Sequence, residues 1–453
     1  MRRSTSSILT LTGWLLAGAI AVAGDWPQFR GPTGQGIADS DAAAVPLTWS
    51  ESENVRWKVA VDGLGWSSPS IVGGMVYLTT SVPVTPPEEK PADELPAAEG
   101  DAPAEAPADP VDTRLLPQTL EALCLDAETG AEVWRVRLFD QPGSVQIHGK
   151  NSHASPTPLV ADGKVYVHFG PHGTACLTTD GNVVWKNEEI EYAPNHGTGA
   201  SPVLSGDVLV IPCDGLDLQF VLGLDKSTGV LRWKQERKAD VEKGFSFSTP
   251  LLIDVSGREL AVSPGSGAVV AYDPATGDEV WRVRYDDGFS VVPRPVFAHG
   301  LVYVCTGYGK PWLLAIDPSG AGDVTDTHIK WKTDRAAPNS PSVIVVGDEL
   351  FMVSDQGVAS CLDAVTGEKH WQERLGGNFS ASPTYIDGRI YFQDENGTAI
   401  VVAAGREFVE LGRSSWGDGV RTFASYAVAD GALFIRSETH VYRVEAEVRQ
   451  TGG

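Results

Sequence analysis

Basic residues are scarce in this chain. Its 453 residues include 35 Lys and Arg against 59 Asp and Glu, so its formal net charge is −24. Nucleic acids and anionic lipid surfaces repel a chain with this excess of acidic groups. The composition therefore argues against nucleic acid and against an anionic membrane surface as partners.

Cysteine is scarce as well, and no two cysteines are adjacent. An odd count in an exported protein leaves at least one thiol without a disulfide partner. The cysteines also fall at matching positions of a repeated unit described below, in copies too distant for the α-carbon separation of about 7 Å that a disulfide needs. We therefore expect buried, inert thiols. The five positions are Cys124, Cys176, Cys213, Cys305 and Cys361.

Only one long apolar run occurs, at the N-terminus. Two arginines precede the run at residues 8–23, which ends in the small-residue sequence Ala-Val-Ala. This pattern is typical of a secretory signal peptide, and the run is too short and too interrupted by Thr and Gly for a retained membrane anchor. We predict a signal peptide at residues 1–23 and a soluble mature chain, periplasmic or otherwise exported, without a transmembrane span. Because no Cys stands at the cleavage site, a lipoprotein is not expected.

The dominant feature that is present is an internal repeat. Its unit is a strand end, an Asp-x-x-Thr-Gly turn and a second strand that carries Trp. The tryptophans of successive copies are 51, 48, 48, 50 and 40 residues apart. Self-similarity at this period indicates a propeller or a solenoid. Close copies lie at residues 125–136, 224–235, 272–283 and 362–373, and weaker ones at 178–187 and 316–333.

Eight strand openings recur along the chain, and seven of them are a hydroxyl residue, usually followed by Pro. Apolar runs rich in Val, Ile, Tyr and Phe come next, as in short antiparallel strands. Each unit thus contains strands A to D, and four antiparallel strands form one propeller blade. The fifth opening alone has Arg in place of the hydroxyl residue. The openings are Ser68, Ser155, Ser201, Thr249, Arg294, Ser340, Ser382 and Ser425.

Only seven D strands follow the eight openings. The seventh has Leu411 where Trp is expected, and the eighth unit ends near residue 444 without a D strand. A strand that carries Trp57 lies upstream of the first opening and supplies the missing one. We predict an all-β, eight-bladed β-propeller over residues 54–446, in which the N-terminal strand completes the last blade and leaves no open sheet edge. An N-terminal extension (24–53) and a C-terminal tail (447–453) flank it.

The repeated tryptophans are predicted to be structural. Each large ring is expected to pack on the neighbouring blade near its Thr-Gly turn, where burial contributes several kcal/mol. Stacking of one ring on a ligand is the alternative. The residues are Trp57, Trp134, Trp185, Trp233, Trp281, Trp331 and Trp371.

One segment lies outside the repeat. Residues 83–117 contain nine Pro and nine acidic residues against two basic ones. Such a composition cannot bury enough apolar surface to offset the entropy of ordering, and we predict disorder. The segment is an insertion between strands B and C of blade one, either a solvated spacer or a docking arm.

The repeated turn, with its upstream Gly-x-Val-Tyr-Val strand, resembles the pyrroloquinoline-quinone-type (PQQ-like) propeller repeat. The sequence at residues 25–38 is similar to the mature N-terminus of exported PQQ-like propellers of planctomycete-type bacteria. That family includes BamB, the eight-bladed subunit of the outer-membrane β-barrel assembly machinery. The resemblance implies a BamB-like fold over residues 25–444, but one scaffold carries both enzymes and adaptors.

The enzyme branch of this family implies features that can be checked in the sequence. Its quinoprotein dehydrogenases hold the quinone under a vicinal disulfide and beside calcium bound by Glu, Asn and Asp, with an Asp base. No Cys-Cys dipeptide exists here. The aspartates at 126, 225, 273 and 363 lie in Asp-x-x-Thr-Gly turns, where they satisfy backbone amides. PQQ is therefore not expected as a cofactor, and the sequence leans against an enzyme.

Candidate site residues collect on the face formed by the D–A and B–C connections. His153, His172 and His196 are candidate binding residues there, since neutral imidazoles are good zinc or copper ligands. Their spacing matches no metal motif, and hydrogen-bonded or solvated loop histidines are the alternative, so no metal is predicted.

Arg294 is a second candidate on that face. An Arg among hydroxyl residues suits a carboxylate or phosphate, unless it pairs with an acidic residue of a neighbouring blade. Tyr308, Trp312 and Phe379 are candidate anchors for a protein partner, because aromatic residues dominate interface energetics.

Two functional hypotheses follow. The first is an exported, non-enzymatic scaffold that binds a protein or a cell-envelope component, such as a polysaccharide. The second is a PQQ-dependent dehydrogenase or a metal-dependent oxidoreductase.

Overall fold

The computed structural model describes residues 24–38, 45–84, 112–143 and 147–446. The predicted signal peptide and C-terminal tail, and residues 85–111 of the predicted disordered insertion, lie outside the described residues. Helix is confined to two short 3-10 turns in the described part, Thr113–Leu115 and Gly170–His172. None of its helices is long and apolar enough to cross a membrane.

Eight blades of four antiparallel strands form the propeller, which confirms the predicted fold. Successive strands A to D run from the innermost to the outermost position of each blade. Blade one contains β2 (Ser70–Val72), β3 (Met75–Pro83), β4 (Gln118–Asp126) and β5 (Glu132–Gln141); blade two β6 (Leu159–Ala161), β7 (Lys164–His168), β8 (Thr174–Thr178) and β9 (Val183–Asn187). Blade three contains β10 (Val203–Ser205), β11 (Val208–Asp214), β12 (Gln219–Asp225) and β13 (Leu231–Glu236); blade four β14 (Leu251–Val255), β15 (Arg258–Gly265), β16 (Ala268–Tyr272) and β17 (Glu279–Arg284).

The remaining blades follow the same order. Blade five contains β19 (Val296–Ala298), β20 (Leu301–Cys305), β22 (Leu313–Ile316) and β24 (Ile329–Thr333); blade six β25 (Ile344–Val346), β26 (Glu349–Val353), β27 (Val358–Asp363) and β28 (Lys369–Arg374). Blade seven contains β29 (Thr384–Ile386), β30 (Arg389–Gln393), β31 (Ala399–Ala403) and β32 (Glu410–Ser414); blade eight β33 (Ala427–Ala429), β34 (Ala432–Arg436) and β35 (His440–Val444).

The N-terminal strand closes the ring as predicted. Strand β1 (Val55–Ala60) pairs antiparallel with β35, and Trp57 lies opposite Arg443. Blade eight therefore takes its outermost strand from the opposite end of the chain. The predicted insertion lies in sequence between β3 and β4 of blade one. Its described ends depart from the prediction of disorder, because Pro83 is the last residue of β3 and Thr113–Leu115 form a 3-10 turn.

Three short strands depart from the regular pattern. Strand β18 (Gly288–Phe289) pairs with β21 (Tyr308–Gly309) in a separate two-stranded sheet outside the blades. Strand β23 (Gly322–Asp323) belongs to the enlarged turn of blade five and adds in parallel to the outer edge of β17. The sheet of blade four therefore has five strands, and its outer edge is covered.

The repeated tryptophans pack where predicted, on the turn of the next blade. In six of the seven, the indole N–H donates to a main-chain carbonyl of that blade at 2.9–3.1 Å. The turn glycine lies directly against the ring: a Cβ added at Gly277 would meet the Trp233 indole at 2.5 Å. Trp281 is the exception, because β23 covers its blade edge; it is buried without a partner for its N–H among the described residues.

A ring of side-chain to main-chain hydrogen bonds joins the blades around the central channel. At seven of the eight junctions, the N–H of the residue two positions before strand A donates to the equivalent hydroxyl of the next blade at 2.9–3.1 Å. We call these residues the hydroxyl ring. Its members are Ser68, Thr157, Ser201, Thr249, Ser342, Ser382 and Ser425, with Arg294 at the position of blade five.

The hydroxyl ring corrects two of the predicted openings. In blade two the ring residue is Thr157, two residues after the predicted Ser155. In blade six it is Ser342, two residues after Ser340. Both blades have two hydroxyl residues with this spacing, and the one nearer the strand forms the inter-blade hydrogen bond.

Residues 24–38 fill the lower part of the channel, and we call them the N-terminal plug. Trp26 pairs with Ile71 on the inner edge of blade one. Ile37 pairs with Tyr385 on the inner edge of blade seven. The two bridges therefore tie the ends of the plug to strands A of blades one and seven, which flank blade eight. The plug lies on the far side of the hydroxyl ring from the cavity described below.

Candidate functional site

A cavity of about 320 Å³ occupies the upper part of the channel. It opens on the face of the D–A and B–C loops, and Phe29 of the plug lines its inner end. Its walls come from two layers of residues that recur once per blade. The lower layer is the hydroxyl ring, and the second layer lies two residues earlier in each blade.

The second layer gives the cavity two apolar walls that face each other and two walls of small or hydroxyl residues between them. Apolar residues come from blades eight and one and from blades four and five, which lie on opposite sides of an eight-membered ring. Small or hydroxyl residues come from blades two and three and from blades six and seven. In blade order the second layer is Trp66, Ser155, Gly199, Phe247, Val292, Ser340, Ser380 and Phe423.

Further aromatic rings extend both apolar walls. The rings of Trp66 and Phe423 meet edge to face at 4.7 Å between centroids. On the opposite side, Phe245 contacts Phe247 at 6.2 Å and Phe289 at 6.0 Å. The space between the two walls is therefore a slot with aromatic sides.

The lower layer offers hydrogen-bond donors to the slot. Each ring hydroxyl oxygen accepts the N–H of the preceding blade, which leaves its own proton for a second partner. Among the described residues, five of the hydroxyls that line the cavity have no acceptor for that proton. They are Ser68, Thr157, Ser201, Thr249 and Ser425.

The wall from blades six and seven is polar and backed by carboxylates. Ser340 donates to the buried Asp355 at 2.8 Å and lies 3.2 Å from the Tyr308 hydroxyl. Ser380 donates to Glu395 at 2.7 Å. Lys150, from the loop between blades one and two, forms an ion pair with the same Glu395 carboxylate at 2.7 Å. These carboxylates are therefore occupied by hydroxyl and ammonium donors.

The three candidate histidines do not form one cluster. His153 and His172 pair with their ring centroids 6.4 Å apart. His196 lies instead beside His148 at 5.3 Å and lines the cavity. No group of three or more His, Cys, Asp or Glu in the described part of the chain is placed to hold a metal ion.

The environment keeps these imidazoles neutral. Burial lowers the pKa of His172 to about 4, with a smaller effect from the nearby His153. Burial also lowers the pKa of His153, whose Nε2 lies 3.0 Å from the main-chain oxygen of Arg114. His153 is thus held by a hydrogen bond to the main chain, and His172 packs beside it.

Arg294 neither faces a ligand site nor pairs with a described acidic residue of a neighbouring blade, so its position differs from both predictions. It is buried, and its guanidinium donates to the carbonyl of Pro250 at 3.0 Å and to that of Phe29 in the plug. No acidic residue of a neighbouring blade pairs with it within the described ranges, and its side chain does not line the cavity. Arg294 therefore anchors the plug beneath the cavity floor.

A second buried guanidinium belongs to the plug itself. Arg30 donates to the carbonyls of Gln35 and Val343 at 2.8 and 2.9 Å. Its Nε and Nη1 have no partner in the described structure. Burial, and then the charge of Arg294, lowers the pKa of Arg30 to about 9. Arg30 and Arg294, neither of which has a carboxylate partner in the described part of the chain, thus lie together on the plug side of the cavity.

Of the three candidate aromatic anchors, one lines the cavity. Tyr308 lies in its wall. Trp312 is half-buried, between the ammonium groups of Lys310 and Lys332 at 4.8 and 4.9 Å from its ring. The prediction for Phe379 was wrong, because this residue is fully buried between blades six and seven and cannot contact a partner.

The cysteines are buried and unpaired, as predicted. Burial raises the pKa of Cys124 and of Cys361 to about 12, and that of Cys176 to about 11. The thiolate is the reactive form of cysteine, and these groups therefore stay protonated at neutral pH.

Sequence reasoning missed most of the cavity residues, although a usable signal exists. The second layer always precedes the hydroxyl ring by two residues, so the correct alignment of the eight openings identifies it. The predicted openings Ser155 and Ser340 belong to the second layer, whereas the other six occupy hydroxyl-ring positions, so that alignment does not separate the two layers. Phe245 and Phe289 lie in irregular loops and have no equivalent signal.

Comparison with known proteins agrees with this architecture. A family model described as outer membrane protein assembly factor BamB matches residues 117–243, 219–343 and 320–407, which together exceed half of the chain. BamB of Burkholderia pseudomallei is 26% identical over 345 residues, which are 73% of this chain and 77% of that protein.

Dehydrogenases with the same repeat are also similar. Methanol dehydrogenase (cytochrome c) subunit 1 of Methylobacterium organophilum is 30% identical over 152 residues, 29% of this chain and 23% of that subunit. The match thus spans about a quarter of that relative. The crystal structure of quinohemoprotein alcohol dehydrogenase from Comamonas testosteroni has a TM-score of 0.63 at 11% identity, covering 96% of this chain and 83% of that one. At this identity the likeness is one of fold.

Proposed function

Because the chain belongs to the PQQ-like propeller family of the outer membrane protein assembly factor BamB, we propose that it is an exported, non-enzymatic scaffold. Its partner is a protein or a cell-envelope component, which binds on the face of the D–A and B–C loops. The opposite face consists of tight Asp-x-x-Thr-Gly turns that are engaged with the tryptophans of neighbouring blades. The cavity face carries the irregular loops, where binding residues are usually found on rigid scaffolds.

The chemistry of the cavity lining carries the non-enzymatic part of the proposal. No Asp, Glu or Cys side chain belongs to the described lining. Calcium takes six to eight oxygen ligands, and carboxylates are prominent among them. The lining therefore does not fit the calcium and vicinal disulfide that the quinone enzymes of this family use, and we expect no PQQ-dependent activity.

Site-specific photo-crosslinking in native envelopes tests the scaffold. A crosslinker at Lys310 lies on the cavity face, and one at Ser227 lies on the turn face. Adducts with one defined partner from position 310, and none from 227, are the expected result. Equal crosslinking from both positions, or none from either, would refute binding by the cavity face.

Titration with PQQ and Ca²⁺ tests the second hypothesis, a PQQ-dependent dehydrogenase, which the partial similarity to methanol dehydrogenase suggests. We expect no change in quinone absorbance or in melting temperature. Micromolar binding together with dye-linked alcohol oxidation would make the chain a quinoprotein dehydrogenase.

A further inference from the structure

The outermost strand of a propeller blade keeps one free edge even in a closed ring. Such an edge can pair with a strand of another chain. In blade four the edge is occupied, because β23 adds to β17 in parallel. In blade two the outermost strand is β9, which pairs with β8 alone among the described strands and bridges. The chain itself thus shows that an outer edge of this ring accepts a further strand.

The edge of β9 lacks the charges that protect the other open edges. Charged side chains keep edge strands from pairing with other chains. Each of the other open outer strands carries at least two charged residues, whereas β9 carries only Lys186. The Lys186 ammonium donates to the carbonyl of Leu138 and lies 5.2 Å from the centre of the Phe139 ring, both in blade one. The single charge of β9 is therefore directed at the neighbouring blade.

Exposed aliphatic side chains surround this edge. Val183 and Val184 of β9 are 42% and 45% exposed, and Val133 and Leu231 on the outer strands of blades one and three are 53% and 48% exposed. We call these four residues the rim strip. The tryptophans of blades one and two connect its parts, since each packs on the turn of the next blade. Aliphatic side chains pair across neighbouring strands, so the rim strip fits a strand with an aliphatic centre.

Acidic residues bracket β9 in the sequence. Asp180 precedes the strand, Glu188, Glu189 and Glu191 follow it, and all four are exposed. None of them forms an ion pair within the described ranges. Lys164, on β7, is separated from β9 by β8. A strand with a basic residue at each end complements these charges, whereas β9 of a second copy would bring acids against acids.

We propose that the outer edge of blade two binds an extended segment of another protein as an added β-strand. The segment has an aliphatic centre and basic ends. Main-chain hydrogen bonds to β9 hold it, and its aliphatic side chains lie on the rim strip. This surface is on the outer rim of the ring, so it adds a contact that the cavity face does not supply.

Fluorescence anisotropy of labelled heptapeptides with the purified chain tests the class of partner. Lys-Val-Thr-Val-Thr-Val-Lys with blocked termini is expected to bind at least about tenfold more tightly than the same peptide with Glu at both ends. Two further peptides carry N-methyl groups on the valines or on the threonines. Because one set of alternate N–H groups faces β9, one of these peptides should bind about tenfold more weakly than the other. Equal binding of the two methylated peptides, tighter binding of the acidic peptide, or no binding of the basic peptide at millimolar concentration would overturn the proposal.

Matched substitutions test the assignment to blade two. Val184→Lys places a free charge on β9 at an exposed position, and it should weaken binding of the basic peptide by about tenfold or more. Val409→Lys makes the same change beside β32 of blade seven and should leave the affinity unchanged. Replacement of both Glu188 and Glu189 by Gln should weaken binding and reduce its dependence on salt, whereas Glu373→Gln on blade six should do neither.

The outcomes that contradict this assignment are specific. Equal affinities in the two valine variants would remove β9 from the site. Dimerisation of the chain alone in size-exclusion chromatography, if Val184→Lys abolishes it, would assign the edge to a second copy and overturn the proposal. Melting temperatures identify a variant that loses binding by unfolding, and the two methylated peptides then decide, because they are measured with the unchanged chain.

Discussion

A tryptophan and a glycine on neighbouring blades form the unit of contact that repeats around this molecule. Gly277 has φ +78°, a left-handed conformation in which a side chain is strained, and its α-carbon lies against the Trp233 ring. The same turn accepts the indole N–H through the carbonyl of Pro274. Six blades therefore present an indole ring that the turn of the next blade receives. This explains why the turn keeps its glycine from copy to copy.

Single buried histidines make the stability of the protein depend on pH. His168 is buried in blade two, where its Nδ1 lies 2.8 Å from the Thr174 hydroxyl. Burial lowers its pKa to about 3, whereas an imidazole in the unfolded chain titrates near 6.5. Between these values the unfolded state binds a proton that the folded state excludes. The free energy of unfolding contributed by this group therefore falls as the pH falls from about 6.5 toward 3.

Replacement of His168 by Gln should reduce this pH dependence. The variant keeps a hydrogen-bonding side chain but cannot gain a proton, so the slope of the unfolding free energy between pH 6 and 4 should fall by about 1 kcal/mol per pH unit. Urea denaturation at several pH values measures the slope. The exposed His299, changed to Gln, is the control and should leave the slope unaltered. Identical slopes in the two variants would contradict the assignment of His168 as a buried neutral group.

At the scale of elements, the N-terminal plug is the least repetitive part of the channel. It is held by single bridges to blades one and seven, by the hydrogen bond from Arg30 to Val343, and by the hydrogen bond from Arg294 to Phe29. Gly34 and Gly36 lie against the two guanidinium groups, where a Cβ would come within 2.5 to 2.7 Å of them. The glycines are thus needed for close approach of the arginines to the plug.

The plug should loosen when Arg294 becomes Met. This change removes the hydrogen bonds to Phe29 and Pro250 but keeps the main-chain N–H that binds Ser342. Because the removed charge is buried and has no carboxylate partner among the residues that the structure describes, global stability should change little. We expect amide hydrogen exchange in residues 26–37 to accelerate by about tenfold or more, as for a local opening, while the blade strands keep their protection.

The control for this experiment is Arg284→Met, which removes an exposed guanidinium from blade four. It should leave exchange in the plug unchanged. Unchanged exchange in the Arg294→Met variant would mean that the plug is held by its strand bridges alone.

At the scale of the whole molecule, stability depends on closure of the ring. Each blade buries its faces only against its two neighbours, so an open ring exposes two faces and one strand edge. Two devices close this ring at the junction of blades eight and one. Strand β1 pairs with β35 on the outside, and Ser425 donates to Ser68 beside the channel.

Three chains that begin at different residues distinguish the contribution of the plug to stability from that of the closing strand β1. Residues 24–446 contain both, residues 45–446 lack the plug, and residues 62–446 lack β1 as well. The second chain should remain monomeric and melt close to the first. The third loses Trp57 and exposes the edge of β35, so its melting temperature should fall by about 5–10 °C and it should associate. Thermal denaturation with size-exclusion chromatography measures both effects. A third chain as stable and monomeric as the second would show that β1 does not close the ring.

The sequence by itself determined the number of blades, the role of the tryptophans and the closure by the N-terminal strand. Each of these features follows from a short sequence motif that recurs from blade to blade, and a recurring motif can be aligned from the sequence alone. The burial of the cysteines was predictable for the same reason, since they occupy equivalent strand positions.

Only the tertiary structure decided which residues share the channel. In strands, residues two apart point the same way, so Ser155 and Thr157 were equally good openings until the hydrogen bonds between blades distinguished them. The plug, the two unlike pairs of walls and the buried position of Arg294 arise when residues about 50 positions apart converge on one axis. No local pattern records that convergence, because it is a property of the closed ring.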